Sequence, residues 1–124
     1  MPSPATVDEY IAGFDPEIAD RLRRVRAEIV DAVTAASGRP PEEKIRYGIA
    51  AVMLGGRYAL HFAGWKKHIG LYPVPAFDES LDSAVAPYRA EKDSVVFPHT
   101  ADLPYDLVGR IAAAIAAQRV AAKD

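Results

Sequence analysis

Apolar residues change their repeat distance twice along this chain, and that change limits the folds it can adopt. Ile18, Leu22, Val25, Ile29 and Val33 recur at steps of four, three, four and four, the period of one face of a long helix. From Glu43 the period falls to two. Ile45 and Tyr47 alternate with Lys44 and Arg46, and Ile49 to Leu54 is a short apolar run. Tyr58, Leu60 and Phe62 then alternate with Arg57, Ala59, His61 and Ala63, as in a half-buried strand. Gly55-Gly56 between the second and third of these segments is a two-residue hairpin signal, because both positions accept positive φ.

The flanks return to helical spacing. Thr6-Val7-Asp8-Glu9 fits a capping box opening a short helix that ends near Gly13, and Asp15-Pro16-Glu17 starts the long one, which Ser37-Gly38 stops. Ile69 and Leu71 lie on one face of a further short strand, ended by Pro73 and Pro75. Leu81, Val85 and Tyr88 form a helical stripe running to about Ala90, and Ser94 to Phe97 reads as a last strand closed by Pro98. Leu103-Pro104-Tyr105-Asp106 launches a final helix lined by Val108, Ile111 and Ile115. The sequence therefore predicts an α+β two-layer sandwich, an antiparallel sheet of about five strands with helices packed on one face. At 124 residues, with no repeat or linker, one domain is expected.

Composition excludes several chemistries. With no cysteine, the chain has no disulfide, no thiolate nucleophile and no Cys-based metal site. Its 15 basic and 17 acidic residues read as mixed along the chain, so neither a nucleic-acid nor a membrane partner is expected. The absence of a long apolar run or a leader-like start predicts a cytoplasmic protein. Gly-rich phosphate loops, nucleophile elbows, His-Glu-x-x-His helices and calcium loops are not present in the sequence.

Strand parity predicts where polar side chains converge. With Tyr58, Leu60 and Phe62 facing the helices, Arg57, Ala59, His61 and Ala63 face away; with Ile69 and Leu71 inward, His68, Gly70 and Tyr72 point outward. Ala59, Ala63 and Gly70 then form a shallow floor ringed by His61, His68, Tyr72 and Trp65. Lys66, Lys67 and His68 supply an anion-binding or proton-transfer group, or else a solvated loop leading into a sheet histidine. Glu43 and Tyr47, on one strand face, anchor a ligand or lock two strands through an ion pair with Lys67. Trp65 stacks on a ligand or caps the core edge. His99 is expected in a solvated turn. A metal shell from His61 and His68 with Glu43 or Tyr72 is a weak reading; the acidic helix starts at Asp8, Glu9, Asp15, Glu17 and Asp20 are an oxygen-rich alternative, and helix starts also collect acids through the dipole.

Glu43-x-Ile45-x-Tyr47-Gly48, Lys66-Lys67-His68-Ile69-Gly70-Leu71-Tyr72-Pro73, Tyr88, Lys92, Phe97-Pro98 and Leu103-Pro104-Tyr105-Asp106-Leu107 together resemble the YdhG-like domain family, a domain of unknown function. The resemblance runs from about Thr6 to Arg119. Some members are described as frataxin-like iron chaperones, so it implies an α+β sandwich and an iron-handling role, with iron as the ligand and an iron-acceptor protein as the partner. It also places Lys92 among the ligand-binding residues. The family usually has a proline and an aromatic after the Tyr-Gly pair; Ile49-Ala50-Ala51-Val52 here implies a wider or differently filled pocket.

Three functions follow as expectations. The first is a small binding protein of the iron-chaperone type, using Asp8, Glu9, Asp15 and Glu17. The second is a pocket for a small anionic metabolite or an acidic partner segment, using Glu43, Tyr47, Trp65, Lys66, Lys67, His68, Tyr72 and Lys92. An enzyme with His68 as general acid or base ranks last, since no second catalytic group stands at a diagnostic spacing. A homodimer covering the outer sheet face is a further expectation.

Overall fold

The computed structural model describes residues 4–91 and 93–123, with side chains described to residue 119. The chain forms α1 (Val7–Ala12), α2 (Pro16–Ser37), β1 (Glu42–Arg46), β2 (Ile49–Leu54), β3 (Arg57–Gly64), β4 (His68–Tyr72), α3 (Glu79–Val85), a 3-10 turn (Ala86–Tyr88), β5 (Val95–Pro98) and α4 (Tyr105–Lys123). The five strands pair antiparallel in chain order, a simple meander.

Local chemistry sets the boundaries. The Thr6 hydroxyl accepts from the Glu9 N–H at 3.1 Å, while the Glu9 carboxylate reaches back to the Ala5 N–H at 3.2 Å, capping α1. Gly38 ends α2 in the left-handed conformation (φ 83°), its N–H bonded to the Thr34 carbonyl. Two tight turns build the first hairpins. Gly55 and Gly56 both have positive φ, as expected, but so do Tyr47 (φ 57°) and Gly48 (φ 76°). Tyr47 therefore belongs to the β1–β2 turn rather than to the strand, so the expected strand parity with Glu43 does not hold.

The core lies between one sheet face and the helices. Ala50, Val52, Leu60, Phe62, Ile69, Leu71, Val95 and Phe97 point toward it from the strands, and Leu22, Val25, Ile29, Val108, Ile111 and Ile115 from α2 and α4; all are buried. Each large aliphatic or aromatic side chain buried here contributes about 2 kcal/mol. The two long helices lie against each other and on β3, and α1 touches β1 and β2.

The parity of β3 breaks at one point. A bulge between Val52 and Met53 pairs Val52 with Leu60 but Met53 with Tyr58, so Ala59 is the extra residue. Tyr58 consequently turns to the outer face, against expectation, and Ala59 joins the core. The extra residue shifts every side chain on its N-terminal side to the opposite face.

Candidate functional site: the outer face of the sheet

Three rows of paired residues cross the outer face. Glu42, Met53 and Tyr58 form one and Lys44, Ala51, His61 and Tyr72 a second, while the pairs Arg46 with Ile49 and Ala63 with Gly70 make up a third. Ala51, Ala63 and Gly70 leave a low floor, with Ala51 in the place expected for Ala59.

Larger groups lie over that floor as a stack. The His61 ring sits 5.0 Å from Tyr72 and 5.8 Å from Tyr58, near parallel to both, and 6.2 Å from Tyr47. The Arg46 guanidinium lies 4.0 Å from the Tyr58 ring centre and 4.6 Å from that of Tyr47. Tyr58 is there only because of the bulge. Parity reasoning from sequence placed His61 and Tyr72 on this face but missed Tyr58, because nothing in the residue types marks where an extra residue falls.

His61 is sealed under these rings, 4% exposed. Its Nδ1 stands 3.3 Å from the Tyr72 carbonyl, which only accepts, so Nδ1 carries the proton and Nε2 presents a lone pair. That buried Nε2 has no hydrogen-bond partner among the described residues. Burial holds the His61 pKa below the usual histidine range; the Tyr72 carbonyl opposes the shift and the Arg46 charge adds to it.

One end of the face is open and positive. An antiparallel meander puts the β1–β2 turn and the β3–β4 loop at the same end of the sheet, which brings Tyr47 to the same rim as Trp65, Lys66 and Lys67. Tyr47 is 74% and Trp65 51% exposed. Trp65 folds back onto the sheet over Gly70: its indole Nε1 lies 3.6 Å from where a Cβ on Gly70 would be, the distance of an ordinary van der Waals contact. His99 sits in the turn after β5, as expected, but half-buried rather than solvated, and it fixes this loop. Its N–H donates to the Lys67 carbonyl at 2.9 Å and its Nε2–H to the Trp65 carbonyl at 2.8 Å. His68 opens β4 half-buried, paired in register with Pro98.

The charge pattern was legible in the sequence and is not a mixture. Between Glu43 and Asp78 the chain has Lys44, Arg46, Arg57, Lys66 and Lys67 and no carboxylate at all. Among the described residues the ion pairs are Arg23–Asp20, Arg26–Asp8, Arg26–Glu43 and Lys44–Glu42, so Lys66 and Lys67 stand without a counter-charge.

Other candidates lie elsewhere. Glu43 faces the helices, not the outer face, and is held by Arg26 through two bonds, Nε to Oε2 at 2.8 Å and Nη2 to Oε1 at 2.7 Å; its partner is thus Arg26, not Lys67. These bonds, with a third to Asp8, raise the Arg26 pKa further above its ordinary value. Asp8 is occupied by Arg26 and Glu9 by the α1 cap, while Asp15 and Glu17 start α2. Among the described residues no group of three or more His, Asp or Glu is arranged to hold a metal ion. Lys92 lies outside the described residues. An open groove of about 470 Å³, lined by Val74, Pro75, Ala76, Asp82, Ala86, Arg89 and Asp93, contains none of the expected site residues, and Arg89 is bonded to the Val74 and Pro75 carbonyls. No helix among the described residues is long and apolar enough to cross a membrane.

Fold and site together define an α+β two-layer domain that leaves one sheet face without helices and lays aromatic and cationic side chains on it. Neither a protein-family model nor a curated protein matches the sequence. Among solved structures, the crystal structure of YdhG from Bacillus subtilis, a DUF1801-family protein, is similar at a TM-score of 0.59 and 18% identity, over 86% of this chain and 84% of that one. The chain has the YdhG-like fold that its motifs resemble.

Proposed function

We propose that the chain is a small binding domain whose ligand is a small anion, taken at the open end of the outer sheet face by Lys66 and Lys67 with His68, Tyr47 and Trp65 around it. One observation carries this reading: two lysines with no counter-charge among the described residues lie at the same end of the sheet as two exposed aromatic rings, and the sequence from residue 44 to residue 77 contains no carboxylate. Two ammonium groups on one short loop attract phosphate or carboxylate, and a chain of net charge −2 gains this local attraction only by segregating its charges.

Inorganic phosphate is the first probe. It binds the folded state and raises the melting temperature as its concentration passes the dissociation constant. Lys66→Ala with Lys67→Ala abolishes that rise while leaving the unliganded protein as stable as before, since both side chains are exposed. An undiminished rise in the double variant rejects the reading. The iron-chaperone role implied by the resemblance rests on Asp8, Glu9, Asp15 and Glu17, two of which are committed to structural bonds. Anaerobic titration with ferrous iron is its separate test, and no effect of replacing Asp15 and Glu17 removes it. The third reading, His68 as general acid or base, draws no support from a neighbouring catalytic pair.

A further inference from the structure

Building on the anion-binding reading, we infer that the ligand carries a planar ring beside its negative charge: the open end of the sheet takes a nucleoside monophosphate, base against Tyr47 and Trp65, phosphate on Lys66 and Lys67.

The exposed large apolar side chains among the described residues are Tyr47 and Trp65. Singly, an exposed aromatic needs no explanation. These two come from separate loops that the meander brings to one end, and both rings fold back over the same face, Tyr47 toward His61 and Trp65 over Gly70. Ile49 and Ala63 between them are both buried, so the exposed surface at this end is that of the two rings themselves. Each ring is held by something other than a ligand. Arg46 lies against Tyr47, and His99 bonds the backbone at Trp65. Aromatic faces presented this way stack on any flat heterocycle, and the lysines one and two residues after Trp65 supply the charge that a phosphate needs.

The arrangement fits one base and one phosphate rather than a strand. Tyr58, His61 and Tyr72 are engaged with one another and offer no successive platforms. Lys44 is paired with Glu42, and Arg57 lies at the far end of β3, so no continuous cationic track follows the face.

The test uses adenosine monophosphate, with inorganic phosphate, adenosine and a single strand of about ten nucleotides as comparison ligands. Trp65 is the sole tryptophan, so its fluorescence reports on the site directly. Adenosine monophosphate is expected to quench it saturably and to bind about tenfold more tightly than phosphate or adenosine. Tyr47→Asn, which keeps a residue tolerant of positive φ in the turn, weakens the nucleotide about tenfold more than it weakens phosphate; Tyr47→Phe restores it. If the nucleotide binds no more tightly than phosphate, the ring is not recognised and the inference falls while the anion reading stands. If neither binds, both fall. Equal affinity for adenosine overturns the role given to the lysines, and a strand bound more than about tenfold tighter than the mononucleotide overturns the choice of occupant.

Discussion

The backbone N–H of Gly64 donates a 3.0 Å hydrogen bond to the phenol oxygen of Tyr10, tying the last residue of β3 to α1 one position before Trp65. Tyr10 also meets Phe14 edge to face at 5.1 Å, and Phe14 and Leu22 fill the space beside Gly64. The loop that carries Trp65, Lys66 and Lys67 thus springs from a point fixed by both early helices.

Tyr10→Phe leaves the ring contacts in place and strands a buried N–H, so it costs about 1–3 kcal/mol in urea denaturation. Gly64→Ala sets a Cβ 2.9 Å from Phe14 Cε1 and 3.0 Å from Leu22 Cδ1, which costs a similar 1–3 kcal/mol, approximately, through overpacking. A wild-type denaturation midpoint in either variant shows that this contact is not structural.

Arg26 and Glu43 fasten α2 to β1. Glu43→Ala leaves a largely covered guanidinium with only the exposed Asp8 for a partner, at a cost of about 2 kcal/mol. Asp8→Ala costs less than about 1 kcal/mol, because that carboxylate remains in water. Phosphate binding is unchanged in both. A Glu43→Ala protein of normal stability that has lost its phosphate response returns Glu43 to the ligand site.

His99 acts as a positioning residue for the β3–β4 loop. His99→Ala removes the bond to the Trp65 carbonyl, and the fluorescence anisotropy of Trp65 falls, with a loss of about 1 kcal/mol in overall stability. The imidazole's role in the loop is disproved by an unchanged anisotropy.

His61 makes stability depend on pH in a defined direction. Its pKa in the folded chain is lowered, so protons bind the unfolded state more readily, and stability is lost as pH falls below the unfolded value of 6.5. Above that pH no penalty exists. His61→Phe keeps a ring in the stack and removes the titration, so the variant loses less stability than wild type between pH 7 and about pH 5. Parallel stability curves for the two proteins across that range exclude the mechanism.

Much of this was legible in the chain. The steps from Ile18 to Val33, the Thr6 and Glu9 cap, and the Gly55-Gly56 turn each act over a few residues, and the structure has a helix, a cap and a hairpin where they stand. The face of Ile69 and Leu71 also follows from period two. Tyr47 was misplaced because a tyrosine gives no sign that it will take positive φ; the turn is set by Gly48 and by the register of β1 on β2.

Sequence alone determined the α+β class, the antiparallel sheet, the helical layer and the carboxylate-free span, because periodicity and charge are properties of neighbours in the chain. Only the tertiary structure decided which side chains share the outer face. The bulge at Ala59 moved Tyr58 beside His61, α2 captured Glu43 through Arg26, and the meander brought Tyr47 and Trp65 to one end. Those outcomes depend on how distant segments pair, and pairing is fixed by the packing of the whole core rather than by any short stretch of residues.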